Sequence, residues 1–470
     1  MTRPIASMET KENSAAPRLS AITQAGACGP GRRMRKAATS PMHEPRRRSF
    51  AAAAWRRCRG AARLARRCTE YPRGLVTGTR NGAAGECEET GRVAAHKACG
   101  RDLEGFSRVP SDPLCRLPDG LTLIGPPPRV QPGEVVGVVV ARNEELRLGA
   151  ALRHYRQLGI GPILLLDNGS TDGTRAIAAG VPRVHVVAAS GRYADSGFGI
   201  AWINAVLDRF ARDHWALMFD ADELLVFPGA DAAGSLPALC AHLDRVGSEC
   251  LQAFMLDLFP REPLHSVAYR AGQDLLQAAP WFEPPRLRRE AIPDFPHVAE
   301  YGGIRQRIFF PHTQPDRPLR FLHEKLYNLG FRLAVLRDAA WFGRLAPPFP
   351  PNLTKVPLLR WRAGVRFLSA HATTALRRAA QQPTGVLLHF KFLQDFHERA
   401  MDAVARNAHY AGSIEYREYL RALTRDPDLT LFGPASQRYG GPEHLTRLGL
   451  MADSTGWRAE RLAQSSALVD

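Results

Sequence analysis

Three carboxylates, Asp220, Asp222 and Glu223, follow a short apolar run at residues 215–219. An apolar run that ends in acids predicts a buried strand whose carboxyl end emerges into solvent. Residues two apart on a strand share a face, so we expect Asp220 and Asp222 side by side, roughly 6–7 Å apart, with Glu223 on the opposite face. Carboxylates this close repel each other unless a cation lies between them. The pattern therefore predicts a divalent metal site, and the alternative is an acidic turn in solvent.

Two further predicted strands also end in polar residues. Val135–Ala141 is followed by Asn143 and Glu144, and Ile163–Leu166 runs into Asp167. The carboxyl ends of parallel strands meet at one edge of a sheet, where such sheets bind their ligands. Asp167 is well placed there to accept hydrogen bonds from a base or a ribose. Three strand endings that converge on one edge favour a binding site over three unrelated turns in solvent.

The segment after Asp167 suits a turn between a strand and a helix. Gly169 allows a tight turn, and the side chains of Thr171 and Asp172 can cap the helix that follows. The sequence leaves a capping role and a ligand-binding role open for Asp172.

Strand and helix patterns alternate regularly between residues 133 and 260. The predicted strands are Val135–Ala141, Ile163–Leu166, Val184–Ala188, Trp215–Phe219 and Leu251–Leu256, and the predicted helices are Glu145–Leu158, Asp172–Ala179, Phe198–Ala211 and Ser235–Val246. Such alternation with short connections predicts an α/β fold, a mostly parallel sheet with helices on both faces.

The pattern changes after residue 257. Many prolines there, including the Pro-rich stretch Leu345–Pro357, predict loops and short antiparallel strands. Order returns with a predicted strand at Val386–Phe390, a helix whose apolar stripe comprises Leu393, Phe396, Ala400, Met401 and Val404, and a second helix at Ile414–Leu423. The predicted organisation is a basic segment at 1–115, a linker at 116–132, an α/β half at 133–260, a Pro-rich region at 261–391 and a helical region at 392–470.

The basic charge is concentrated early in the chain. Of the 63 Lys and Arg residues, 24 precede residue 131, against 11 of the 46 acids, so this part carries most of the formal net charge of +17. Its composition predicts disorder, with a basic helix at Ala51–Arg67 as the alternative. Such a segment could bind nucleic acid or acidic lipid, or it could be an extension from a wrongly assigned start codon.

Neither a membrane span nor a cysteine scaffold is expected. No run approaches 18 consecutive apolar residues, and the first residues lack the apolar core of a signal peptide, so we expect a cytoplasmic location. Six of the eight cysteines lie at 1–115, and none is spaced like a zinc ligand pair. Cys240 and Cys250 are predicted to be reduced, buried thiols.

Taken together, the three motifs resemble those of the family 2 glycosyltransferases, which have the GT-A fold. The matching stretches are VVARNE at 139–144, DNGSTDGT at 167–174 and DADE at 220–223, in the family's order and spacing. The later stretches Lys355–Trp361, Ser369–His371 and Leu387–Lys391 look like a bacterial branch of that family.

The resemblance implies a nucleotide-sugar donor and a divalent ion. Asp222, with Asp220, would bind Mn²⁺ or Mg²⁺ bridging the two phosphates, because the ion stabilises charge that develops on the leaving diphosphate. The family commonly adds a late histidine as a metal ligand, for which His371 is the first choice and His389 the rival. The remaining donor contacts would come from Asn143, Glu144, Asp167 and Asp172 around the nucleoside and from Arg192 and Lys391 at the phosphates.

Inversion at the sugar, the usual outcome in this family, requires a carboxylate base on the acceptor hydroxyl. The family's base motif is not recognisable here. Asp257 is the first choice, because it lies among apolar residues that should raise its pKa. Glu300 and Glu324 are alternatives. The acceptor would be a glycan or a lipid-linked intermediate, and a lipid-linked one would bring the enzyme to the inner membrane surface.

Three other functions compete with this interpretation. A haloacid-dehalogenase-like phosphatase also uses Asp-x-Asp, but on its first strand, whereas the motif here lies on the fourth. A nucleotidyltransferase acting on sugar phosphates shares the nucleotide fold and the metal, and it releases pyrophosphate. A nucleic-acid-binding protein would act through the basic segment at 1–115.

Overall fold

The structure is a computed structural model that describes residues 117–291, 298–314, 350–375, 377, 382–407 and 409–466. The predictions for the segment at 1–115, including a helix at Ala51–Arg67, and for Glu324 lie outside these residues.

The strands are β1 (Leu121–Ile124), β2 (Val135–Ala141), β3 (Ile163–Asp167), β4 (Val184–Ala189), β5 (His214–Met218), β6 (Glu223–Val226), β7 (Cys250–Asp257), β8 (Trp281–Phe282), β9 (Arg288–Ala291), β10 (Val298–Tyr301), β11 (Thr354–Trp361), β12 (Phe367–Ser369), β13 (Ala372–Thr373), β14 (Gly385–His389) and β15 (Gln437–Arg438). The helices are α1 (Glu145–Gln157), α2 (Thr174–Ala179), α3 (Ile200–Phe210), α4 (Ser235–Arg245), α5 (Leu275–Ala278), α6 (Gly303–Phe309), α7 (Phe396–Arg406), α8 (Tyr410–Arg425), α9 (Pro442–Arg447) and α10 (Thr455–Ser466), with 3₁₀ turns at Leu264–Ser266 and Pro311–Thr313.

A nine-stranded sheet organises the described residues, in the order β1-β4-β3-β2-β5-β11-β7-β14-β6. β4, β3, β2 and β5 are parallel neighbours, and β7 pairs in parallel with β14. β11 lies antiparallel to both β5 and β7, and β1 and β6 pair antiparallel at the two edges. Six of the nine strands therefore share one direction, which confirms the predicted α/β class with a mostly parallel sheet.

The buried β-branched run of β2 explains why helices cover both faces of the sheet. Val135 and Val139 point into one hydrophobic cluster, which includes Leu148 of α1. Val136 belongs to the cluster on the other face, which includes Ile203 of α3. Successive strand residues face opposite sides, so a strand that is apolar throughout needs cover on both.

Two strands of this sheet fall where the sequence predicted a linker or loops. β1 lies in the predicted linker and pairs with β4. β11 begins inside the Pro-rich stretch and is antiparallel, as predicted for this region, but it is eight residues long and lies inside the sheet between β5 and β7. Its pairing with β7 shifts register between Lys355 and Leu358, around Pro357. Proline has no N–H for a sheet ladder, and a bulge at this point accommodates it.

The late helices form a third cluster against α6. Phe309, Phe396 and Tyr419 contribute aromatic rings from α6, α7 and α8. The predicted helical region is present, but Met401 is 46% exposed and does not belong to the buried stripe of α7. β9 and β10 form one of the expected short antiparallel pairs. Among the described helices, none combines the length and apolar character that a membrane span needs.

Candidate active site

A cleft with a volume of about 330 Å³ lies where β2 and β5 end. Five carboxylates line it: Glu144, Asp220, Asp222, Glu223 and Glu415. Two of the three predicted strand endings, those after β2 and β5, therefore meet in this cleft. The lining also includes several basic side chains, so the cleft contains charges of both signs.

The acidic motif lies in a turn rather than on one strand. β5 ends at Met218 and β6 begins at Glu223, and the backbone N–H of Glu223 donates to the carbonyl of Asp220 (3.0 Å). The expected placement of Asp220 and Asp222 side by side on one face of a strand is therefore wrong. The carbonyl of Asp222 accepts the N–H of Phe390 (2.8 Å), which ties the turn to the end of β14.

Lys355 of β11 supplies a cation to this turn. Its Nζ lies 3.1 Å from Oδ2 of Asp220 and 2.8 Å from Oε1 of Glu223. Burial disfavours the charged ammonium, but the two carboxylates outweigh it and raise the pKa of Lys355. Burial raises the pKa of Glu223 to about 7 despite Lys355, with Asp220 and Asp222 adding repulsion. One ammonium thus neutralises part of a three-carboxylate turn.

His389, the rival histidine, contacts the motif directly. Its Nε2 lies 3.5 Å from Oδ2 of Asp222, and its Nδ1 lies 2.6 Å from Oδ1 of Asp257. Burial lowers the pKa of the imidazole, but the two carboxylates outweigh it, so the net shift is upward. The same contact, with Arg399 nearby, holds the pKa of Asp222 well below its usual value although burial acts the other way.

Asp257 lies behind His389 and does not line the cleft. Its second oxygen accepts Nε of Arg305 (2.8 Å), and the residue is 5% exposed. The expectation of a raised pKa is wrong: burial acts in that direction, but Arg305 and His389 outweigh it and lower the pKa of Asp257. Its surroundings are ionic rather than apolar. Glu300, an alternative base, is buried and likewise lies off the cleft lining.

His371, the first-choice metal ligand, lines the cleft, and one of its ring nitrogens is held by the backbone. Its Nδ1 donates to the carbonyl of Thr354 (2.6 Å). Burial and the neighbouring Lys355 ammonium lower its pKa to about 4. In the part of the chain that the structure describes, no three His, Cys, Asp or Glu side chains are grouped to hold a metal ion by themselves.

Glu144 and Lys391 both line the cleft. Arg399 of α7 binds both oxygens of Glu144, at 2.7 and 2.8 Å. Burial raises the pKa of Glu144, and the attraction of Arg399, which acts to lower it, is the weaker effect. The ammonium of Lys391 lies 4.7 Å from the ring centre of Tyr416 and 3.9 Å from Oε1 of Glu415. Lys391 is thus a half-buried cation whose nearest carboxylate among the described residues lies beyond hydrogen-bond distance.

Asn143 and Asp172 join the first two motifs to each other and do not line the cleft. Asn143 has a positive φ of 55°, which asparagine tolerates better than most residues. Its Oδ1 accepts the N–H of Thr171 (2.8 Å). Asp172 accepts the backbone N–H of Thr174 (3.0 Å) at the start of α2 and that of Glu145 (3.0 Å) at the start of α1.

Asp167 and Arg192 also lie away from the cleft lining. Asp167 is buried; one oxygen accepts Nε of Arg175 (2.7 Å) and the other accepts the N–H of Ser170 (3.2 Å). The side chain of Arg192 is 72% exposed and lies 3.9 Å from Asp195. The roles predicted for both at the donor stay predictions.

Arg147 of α1 lies outside the cleft lining but supports it, and local sequence patterns did not predict this role. The residue is 1% exposed; its Nε donates to the carbonyl of Phe390 (3.0 Å), and its two terminal nitrogens bind Asp395 at 2.6 Å each. This clamp holds the segment between β14 and α7, which carries Lys391. Arg147 and Asp395 are separated by 248 residues in the sequence, so no local sequence pattern predicts that they pair.

No family model matches the chain, and the comparison with curated proteins found no match. Among solved structures, residues 1–349 of S. aureus TarS match at 17% identity over 31% of this chain and 48% of that one, with a TM-score of 0.22. Glucosyl-3-phosphoglycerate synthase from Mycobacterium tuberculosis, with Mn²⁺ and uridine diphosphate, matches at 19% identity over 26% and 44%, with a TM-score of 0.17. A 4-diphosphocytidyl-2C-methyl-D-erythritol synthase matches at 12% identity over 30% and 66%, also at 0.17. The chain spans about half the length of the first structure, and likenesses this limited carry no argument about family or activity.

Proposed function

We propose that this chain is a glycosyltransferase of the family 2, GT-A type that moves a sugar, with inversion, from a nucleotide-sugar donor to a glycan or lipid-linked acceptor. The observation that carries the proposal is the meeting of Glu144 and Asp222, which follow the neighbouring parallel strands β2 and β5, in one cleft with His389 and Lys391. Open α/β sheets bind nucleotides at this edge.

The side chains in the cleft fit a divalent ion held together with the donor. Asp222 and Nε2 of His389 offer two ligands 3.5 Å apart, and Mg²⁺ or Mn²⁺ in such sites takes the rest from substrate phosphates and water. Asp257 binds the other ring nitrogen of His389, which is the usual outer partner of a metal-bound histidine. When bound, the ion stabilises the charge of the leaving diphosphate. His389 thus replaces His371 in the proposal, and Asp220, paired with Lys355, has a supporting role.

Lys391 is the proposed contact to the donor phosphates. It faces the cleft, and its nearest carboxylate among the described residues is Glu415 at 3.9 Å, beyond hydrogen-bond distance, so the ammonium can still donate to an anionic ligand. A cation aimed at the diphosphate stabilises the transition state more than the ground state, because negative charge grows on the leaving group.

The test is a binding and turnover screen with UDP-, GDP- and dTDP-sugars in the presence of Mn²⁺ or Mg²⁺. We expect ion-dependent binding and slow release of the nucleoside diphosphate. Asp222→Asn is expected to weaken ion-dependent binding by more than about 100-fold, because removing even an outer partner of a metal ligand costs 10–100-fold.

The matched control is Asp195→Asn, since Asp195 is an exposed aspartate outside the cleft. It should bind donor like the unaltered protein. The proposal fails if no donor binds with either ion. Release of pyrophosphate from a nucleoside triphosphate and a sugar phosphate would instead identify a nucleotidyltransferase.

A further inference from the structure

Glu415 of α8 lines the cleft with one carboxylate oxygen engaged and the other open. Oε1 accepts the hydroxyl of Tyr419, lies 3.4 Å from Nη1 of Arg305 and lies 3.9 Å from Nζ of Lys391. Among the described residues, Oε2 has no hydrogen-bond or ion-pair partner, and the side chain is 28% exposed. The group is therefore anchored at one oxygen and available to a ligand at the other.

The other four carboxylates of the cleft are less suited to accept a proton from an acceptor. Arg399 occupies both oxygens of Glu144. The remaining three lie close together in the chain, Asp220 and Asp222 in the turn after β5 and Glu223 at the first position of β6. In the proposed function that turn lies on the side of the leaving diphosphate. Inversion requires the acceptor hydroxyl to approach from the opposite side of the anomeric carbon.

We propose that Glu415 is the catalytic base, an inference that rests on the proposed glycosyl transfer. Oε2 takes the proton of the acceptor hydroxyl while that oxygen forms a bond to the anomeric carbon. The bond from this carbon to the phosphate oxygen breaks, and its electron pair leaves with the nucleoside diphosphate. No oxidant or further reactant is needed, and the configuration at the sugar is inverted.

The surroundings of Glu415 suit this role. Burial disfavours its charge, but Lys391, Arg305 and the Tyr419 hydroxyl outweigh it and lower the pKa, so the carboxylate is ionised at neutral pH. The bond from Tyr419, one helical turn along α8, fixes the rotamer and hence the direction of Oε2. Arg305 also binds Asp257, the residue that holds His389. One guanidinium therefore contacts both Glu415 and Asp257.

The deciding variant is Glu415→Gln, which keeps the shape of the side chain but cannot take up the proton. Its matched control is Glu418→Gln on the same helix, where the glutamate pairs with Arg421 outside the cleft. The assay uses whichever donor the unaltered full-length chain hydrolyses with Mn²⁺. Donor affinity should change by less than about twofold, whereas hydrolysis should fall by about 10²–10⁴-fold, the usual contribution of a general base.

Azide supplies a readout that a merely structural role would not give. It is a nucleophile without a proton to lose, so it should restore diphosphate release in Glu415→Gln and yield a glycosyl azide of inverted configuration. Hydrolysis within about fivefold of the unaltered protein, or a lost rate that azide does not restore, would overturn the assignment.

Two further outcomes are kept apart by the design. If Glu415→Gln does not fold, Glu415→Asp replaces it, because it keeps the charge beside Arg305 and moves the carboxylate back. A lower kcat with unchanged donor affinity and azide rescue is then expected, and an unchanged kcat refutes the assignment.

An unaltered protein that binds no donor refutes the proposed function itself, and the base with it. A protein that binds and cleaves donor equally well with Glu415→Gln refutes the base alone.

Discussion

His389 and Asp257 are direct partners in the parallel pairing of β14 with β7, and their side chains meet at 2.6 Å. The same histidine pairs with Glu223 across the antiparallel contact of β14 with β6. The register of the sheet therefore places an imidazole between two acidic strand ends. Because a slip of one residue would turn His389 to the other face, the register itself determines whether the cleft contains this group.

Replacing Asp257 with asparagine tests whether this pair supports an ion. The amide cannot hold the imidazole with the same charge, so Nε2 becomes a poorer ligand, and we expect Mn²⁺ affinity in the presence of nucleoside diphosphate to fall by about 10–100-fold. Calorimetric titration measures this change. Asp195→Asn again serves as the control, and an ion affinity equal to that of the unaltered chain would contradict the role given to Asp257.

Arg147→Met should destabilise the fold strongly. It removes the close partner of the Asp395 carboxylate, which among the described residues keeps only Arg399 at 3.9 Å, and it takes away the donor to the Phe390 carbonyl; breaking a buried pair costs about 3–5 kcal/mol. Denaturant unfolding measures the free energy. Arg153→Met on the same helix is the comparison, because Arg153 is exposed and should change stability by no more than about 0.5 kcal/mol. Equal losses in the two variants would show that Arg147 is no clamp.

Local patterns predicted the elements of the α/β half well, because strands such as β2 and helices such as α1 have a clear period in the sequence. They allowed an antiparallel strand in the Pro-rich region but did not place it inside the main sheet, between β5 and β7. They also failed at the acidic motif, since apolar residues on both sides of Asp220 and Asp222 do not distinguish one strand from two strands joined by a turn.

The charge partners of the site lay beyond the reach of sequence patterns. The environment of Asp257 was predicted to be apolar because its neighbours in the chain are apolar. In the fold, Arg305 and His389 contact it from positions 48 and 132 residues away. Lys355 reaches Asp220 across 135 residues. Which cation meets which carboxylate depends on strand order, and strand order is a property of the whole sheet.

The half-buried, neutral imidazole of His371 should make stability depend on pH. Its pKa is lowered to about 4 in the folded chain, against about 6.5 in an unfolded one. The unfolded state therefore binds more protons between these values, so this contribution is fully present above pH 6.5 and is lost as pH falls toward 4, by about 3 kcal/mol in all.

His371→Asn removes the titrating group while its amide can still donate to the Thr354 carbonyl. The free energy of unfolding of the variant should fall less steeply than that of the unaltered protein between pH 6.5 and 4, which denaturant unfolding at several pH values measures. Parallel curves for the two proteins would show that His371 does not cause the dependence.

Lys391→Met separates phosphate binding from ion binding. The methionine keeps much of the stem that packs beside Tyr416 but removes the charge, and a charged hydrogen bond contributes about 1.5–3 kcal/mol. Donor affinity with Mn²⁺ should therefore fall by about 10–100-fold, and affinity for nucleoside diphosphate should fall similarly. Affinity for the nucleoside, which has no phosphate, should not change. A loss of nucleoside binding as large as the loss of diphosphate binding would mean that the variant disturbs the cleft as a whole, and Lys391 would then have no specific part in holding the phosphates.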